Sequence, residues 1–105
     1  MLKIAEGDNG HEVTIAKGDE LELSLSENPS TGYRWELSAK AAPVCELLND
    51  NFEAAGTTPG RGGMHRWQFR AVQPGSGEIA LQYRRSWEEG TPPARSYRVS
   101  VRVEK

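Results

Sequence analysis

The stretch YRVSVRV at 97–103 alternates without a break: Tyr97, Val99, Val101 and Val103 fall on one side, and Arg98, Ser100 and Arg102 on the other. Side chains of a strand leave on alternate faces, so this pattern buries its apolar side only as an extended strand. The same period runs through most of the chain. Val13 and Ile15 carry it first, and Leu21, Leu23 and Leu25 repeat it in DELELSLSE after a Lys17-Gly18-Asp19 turn. It returns at Tyr33, Trp35 and Leu37, then at His65, Trp67, Phe69 and Ala71. After the turn at Pro74-Gly75-Ser76-Gly77 it places Ile79, Leu81 and Tyr83 inward. The segment APVCELLNDNFEAAG departs from the pattern. Val44, Leu47 and Leu48 would suit a helical turn, but Pro43 and the short length favour a strand or an irregular crossing over 43–55.

About seven short strands with turns between them and no sustained helical period predict an all-β, immunoglobulin-like β-sandwich. The Cys…Trp…Cys spacing of antibody domains is absent. A chain of 105 residues is one domain, 1–105, large enough to bury a core without staples. Its formal charge of -2, from 13 basic and 15 acidic residues, gives no drive toward nucleic acid or anionic membrane. Cys45 has no partner for a disulfide or a Cys-Cys metal site. No apolar run approaches the ~18 residues of a membrane span, and the opening MLKIAEGDNG has no apolar stretch of signal-peptide length. The expectation is a soluble protein, secreted or periplasmic if a leader was removed.

A sandwich core accounts for the alternating residues, so function is sought in loops the core does not need. Three are over-specified: 28–33 (NPSTGY), 59–63 (PGRGG) and 84–93 (RRSWEEGTPP). Two antiparallel strands between successive loops return the chain to the same end, so all three are expected at one end of the sandwich. Catalysis has little to work with. His11 lies near an early strand and His65 on an inward strand face, so neither is placed for a Ser-His-Asp arrangement. Cys45 lacks an activating partner, and Glu88-Glu89 reads as a solvated loop edge. Two histidines without HxxxH or CxxC grouping make no metal site, and no cofactor is implied. PGRGG is followed by a strand and lacks the lysine of a phosphate-binding loop. What is left is a binding protein and not an enzyme.

In order along the chain, NPSTGYRW at 28–35, GRGG at 60–63 and RSW at 85–87 resemble the motifs of the chagasin-like inhibitors of papain-family cysteine peptidases: NPTTGY-W, GxGG and RPW. The resemblance runs from AKGDELELSL to YRVSVRV. It implies a reversible, non-covalent competitive inhibitor, a monomer, whose first loop enters the peptidase cleft while the other two clasp its rims. Carried onto this sequence, the contact residues are Asn28, Pro29, Ser30, Thr31, Gly32 and Tyr33, then Gly60, Arg61, Gly62 and Gly63, then Arg85, Ser86 and Trp87.

Pro29 stiffens the first loop, Gly32 permits a positive φ, and Ser30-Thr31 offer small hydroxyls suited to a narrow cleft. The second-loop glycines allow close backbone approach. Trp87 is read as an exposed anchor and Arg85 as a guanidinium for carboxylates or aromatic faces, whereas Trp35 and Trp67 read as core and Tyr33 as core or loop support. Two positions depart from the family's pattern. Ser30 keeps the usual hydroxyl but loses a methyl, and Ser86 replaces a proline, adding backbone freedom that weakens binding by ~0.5–1 kcal/mol if its φ suits proline. The alternative reading is an immunoglobulin-like adhesion or carbohydrate-binding module whose aromatics stack on sugars.

Overall fold

The computed structural model describes residues 1–54, 62–85, 87–88 and 90–105. Eight strands are present among them: β1 (Leu2–Ile4), β2 (Glu12–Ala16), β3 (Glu20–Glu27), β4 (Tyr33–Lys40), β5 (Cys45–Ala54), β6 (Gly63–Ala71), β7 (Gly75–Arg85) and β8 (Arg95–Glu104). They form two four-stranded sheets, β1-β3-β6-β5 and β2-β8-β7-β4. The fold is the expected all-β sandwich, with one strand more than the seven or so expected. That strand, β1, pairs in parallel with β3, Leu2 opposite Leu21 and Ile4 opposite Leu23. Within the segment 43–55, Cys45–Ala54 form a strand, β5, with a register shift between Leu47 and Asn49.

The alternation read from sequence is the partition between core and solvent. Leu21, Leu23 and Leu25 from β3 meet Trp67 and Phe69 from β6, Ile79 and Leu81 from β7, and Val99 and Val101 from β8, all essentially inaccessible. Each such side chain contributes about 1.5–3 kcal/mol relative to leaving it in water, so the facing strips of the two sheets are the main source of stability. Trp35 and Trp67 are core, as expected. Cys45 is buried and unpaired at the start of β5, where burial pushes its thiol pKa up.

The N-terminal segment crosses between the sheets. After β1 a single 3₁₀ turn, Glu6–Asp8, leads into β2, which pairs in parallel with β8. Tyr97 Oη donates to the Ala5 carbonyl at 2.9 Å and pins the crossing. Burial, with a smaller contribution from Asp8, pushes the Tyr97 phenol up to about 12. Glu6 is fastened to β3, its carboxylate accepting from Ser26 N–H at 3.1 Å and Ser26 Oγ at 2.5 Å. No helix among the described residues is long and apolar enough to cross a membrane.

Candidate functional site

Strand register brings the flanks of all three loops to one end. Gly63, opening β6, lies opposite both Glu27 at the end of β3 and Ala54 at the end of β5. In the other sheet Tyr33 at the start of β4 lies opposite Arg85 at the end of β7, and Tyr83 lies opposite Arg95. The expected clustering is therefore present. Gly60, Arg61 and Ser86, named from the sequence as contact residues, lie outside the described residues.

The first loop is closed by its own side chains. Pro29–Thr31 form a single 3₁₀ turn, in which Thr31 N–H donates to the Asn28 carbonyl at 3.1 Å. Asn28 Oδ1 accepts from Ser30 N–H at 3.2 Å and from Ser30 Oγ at 2.6 Å. Thr31 Oγ1 donates to the Asn28 carbonyl at 2.8 Å and accepts from Tyr33 N–H at 3.3 Å. Asn-initiated turns of this kind replace backbone pairing with a local side-chain bond. The two hydroxyls thus direct their hydrogens back into the loop, and shaping the turn is their structural part.

Arg85 has a part inside the chain that its motif did not reveal. Its guanidinium carbon lies 4.4 Å from the Tyr33 ring centroid, Nε donates to the Thr31 carbonyl at 3.1 Å, and Nη1 pairs with Glu88 at 3.1 Å. It braces the first loop against the third. Behind this brace Tyr83 stacks on Tyr33 at 5.3 Å and packs against Trp35 at 4.8 Å, with its hydroxyl accepting from Asn28 N–H at 3.4 Å. Tyr33 is loop support, one of the two parts anticipated for it.

Glycines set the remaining contacts. Gly32 has φ +85, and a Cβ there would lie 2.2 Å from Trp87 Cη2, so the indole rests directly on the loop backbone. Trp87 is nonetheless 67% exposed, and its exposure matches the reading from sequence. Gly62, at φ +74, comes so close to the first loop that a Cβ would lie 2.9 Å from the Glu27 carbonyl oxygen. Gly63 packs against the β5 backbone, where a Cβ would lie 2.1 Å from the Glu53 oxygen. The first loop thereby touches the third through Trp87 and Arg85, and the end of the second through Gly62.

Below the first loop lies a charged cluster that sequence reasoning missed. Glu27, whose side chain is fully buried, accepts from Trp35 N–H at 2.6 Å and Arg34 Nε at 3.2 Å, and faces His65 Nδ1 at 3.1 Å. His65 Nε2 faces Asp50 Oδ1, and its ring stacks on Trp67 at 3.9 Å. The signal was there: Glu27 continues the inward phase of Leu21, Leu23 and Leu25. No buried polar side-chain atom among the described residues lacks a partner, and no group of His, Cys, Asp and Glu there is arranged to hold a metal.

Comparison with known proteins agrees with this architecture. The family model described as chagasin family peptidase inhibitor I42 matches residues 14–101. The chain is 36% identical over 91 residues to Amoebiasin-1 of Entamoeba histolytica, covering 82% of this chain and 84% of that protein. It is 29% identical over 90 residues to Chagasin of Trypanosoma cruzi, covering 81% and 82%. The crystal structure of EhICP2, a cysteine protease inhibitor from Entamoeba histolytica, superposes with a TM-score of 0.89 at 27% identity, covering 98% of this chain and 95% of that one. With the family model spanning most of the chain and the fold matching over nearly all of it, this protein belongs to the chagasin family of peptidase inhibitors.

Proposed function

We propose that the protein is a reversible, non-covalent, competitive inhibitor of papain-like cysteine peptidases, with the loop end of the sandwich seated over the active-site cleft. The observation that carries this reading is the brace between the loops: Arg85 holds the Thr31 carbonyl and the Tyr33 ring, and Trp87 lies on Gly32. Ordering that would otherwise oppose association is already present in the free protein, which favours affinity. The first loop, Asn28 to Tyr33, enters the cleft. Gly62 and Gly63, with Gly60 and Arg61, meet one rim, and Trp87, with Arg85 and Ser86, meets the other.

The turn also explains why such a loop would block the cleft and not be cut. Attack on a peptide carbonyl needs the scissile bond aligned with the nucleophile. A 3₁₀ turn tied by the Asn28 carbonyl to Thr31 N–H and Thr31 Oγ1 resists the extension that alignment demands. The mode of action is occupation of the site by a rigid surface, with no bond made or broken.

The test is a titration of papain with the purified protein, using a fluorogenic peptide substrate, beside a Thr31→Ala/Trp87→Ala double variant. Competitive inhibition that the double variant largely loses is the expected result. A folded protein that inhibits neither papain nor related cathepsins overturns the proposal.

A further inference from the structure

The cluster Glu27–His65–Asp50 is built at a cost that the sandwich itself does not require. A fully buried carboxylate is expensive unless several donors satisfy it, and an apolar side chain in the phase of Leu25 would serve the core as well. The cluster's location distinguishes it from ordinary core packing. Glu27 is the residue before the first loop, and Trp35, whose N–H it accepts, lies just beyond the loop's far end. Trp35 Nε1 donates in turn to the Ser26 carbonyl at 3.0 Å, so two bonds close the base of the loop. His65 belongs to β6, which leaves the second loop, and Asp50 to β5, which enters it.

We infer that Glu27, His65 and Asp50 form a positioning relay that sets the first loop relative to the strands flanking the second, and so tunes affinity without touching the peptidase. The inference rests on the cleft-blocking reading above. Carboxylates accept hydrogen bonds, and one ring nitrogen of His65 faces each of the two. The imidazole then joins two acceptors that would otherwise repel, one on each neighbouring strand of β6. Arg34, from β4, pairs with Glu27 at 3.2 Å, and Trp67 holds the imidazole ring flat. Movement of Asp50 is passed through the ring to Glu27 and from there to both ends of the loop.

Asp50 is the position to change, because its side chain is 47% exposed on an edge strand and its loss leaves the core intact. Amide ¹H–¹⁵N spectra of the free protein and inhibition constants for papain are compared for the wild type, Asp50→Ala, Asp50→Asn and Asn51→Ala. The expected result is that Asp50→Ala shifts the Thr31 and Gly32 signals and raises Ki about fivefold, the low end of energetic coupling between sites. Asp50→Asn, which keeps an acceptor facing the imidazole, reverses most of both effects, and Asn51→Ala on the same strand produces neither. Loop signals that stay in place in Asp50→Ala, or an asparagine no better than alanine, overturn the relay. Shifted signals with an unchanged Ki overturn its link to affinity. If the wild type does not inhibit papain, the functional proposal fails, while the spectra still decide the relay.

Discussion

Gly32 and Trp87 meet face to backbone: the indole of the third loop lies where a side chain at position 32 would have to go, with Cη2 2.2 Å from the place of a Cβ. The contact makes the two loops one surface. Gly32→Ala introduces both this collision and a residue at φ +85, a region that costs an L-residue roughly 1–2 kcal/mol. The expected outcome is a Tm lower by several degrees, with a larger proportional loss of papain inhibition because Trp87 is displaced. Retained inhibition in a folded Gly32→Ala variant would show that the indole's seat does not matter.

Trp87→Ala should behave differently. The side chain is 67% exposed and adds little to the core, so thermal denaturation should hardly change. Truncating a central aromatic anchor weakens association by about 2 kcal/mol, and inhibition of papain should weaken by that order. An unchanged inhibition constant would remove Trp87 from the contact surface.

Acid should loosen the N-terminal crossing through Glu6. Hydrogen bonds from the Ser26 side chain hold its carboxyl below the ordinary value of 4.5, with the Ser26 backbone and Arg95 assisting and partial burial opposing. A group with a lowered folded-state pKa contributes stability that is complete above its unfolded value and lost as pH falls through the folded one. Urea midpoints of the wild type should therefore drop below pH 4.5, and those of Glu6→Gln should drop less. Because Glu6 is largely exposed, the difference should be at most about 1 kcal/mol. Parallel curves for the two proteins would exclude Glu6 from the acid transition.

The Cys45 thiol should be inert in the native state. It is buried, and loss of hydration raises its pKa from the ordinary 9.0, so little thiolate forms. Labelling by a disulfide reagent at pH 8 should be slower than in guanidinium chloride by roughly a hundredfold or more, reporting opening of β5. Fast native labelling would show that the start of this strand opens freely.

Alternation was enough to read six of the strands, because in each of them one face packs and the other is wet. Parity of strand number then located the three loops at one end. The strand β1 was hidden because three residues, Leu2 to Ile4, are too few to show a period. The strand β5 was obscure because it is an edge strand, mostly exposed, and because its bulge between Leu47 and Asn49 breaks the phase and leaves Leu48 37% exposed. At the site, Gly32 and Trp87 were legible as single residues. The brace by Arg85 was not, since it depends on the pairing of Tyr33 with Arg85 across β4 and β7. A charged residue in an apolar phase, as at Glu27, is a mark that can be read without coordinates.

The outer ends of β1 and β8 bear on how the protein can be handled and joined to others. Leu2 lies beside Leu21, and Glu104 lies beside Ala16. Both are at the pole opposite the three loops, where Lys17 N–H meets the Glu104 carbonyl. A tag, a carrier or a surface linker joined next to Leu2 or Glu104 would leave from the rear of the molecule. The loops would still face outward, so two copies joined there would present both loop ends to solution at the same time.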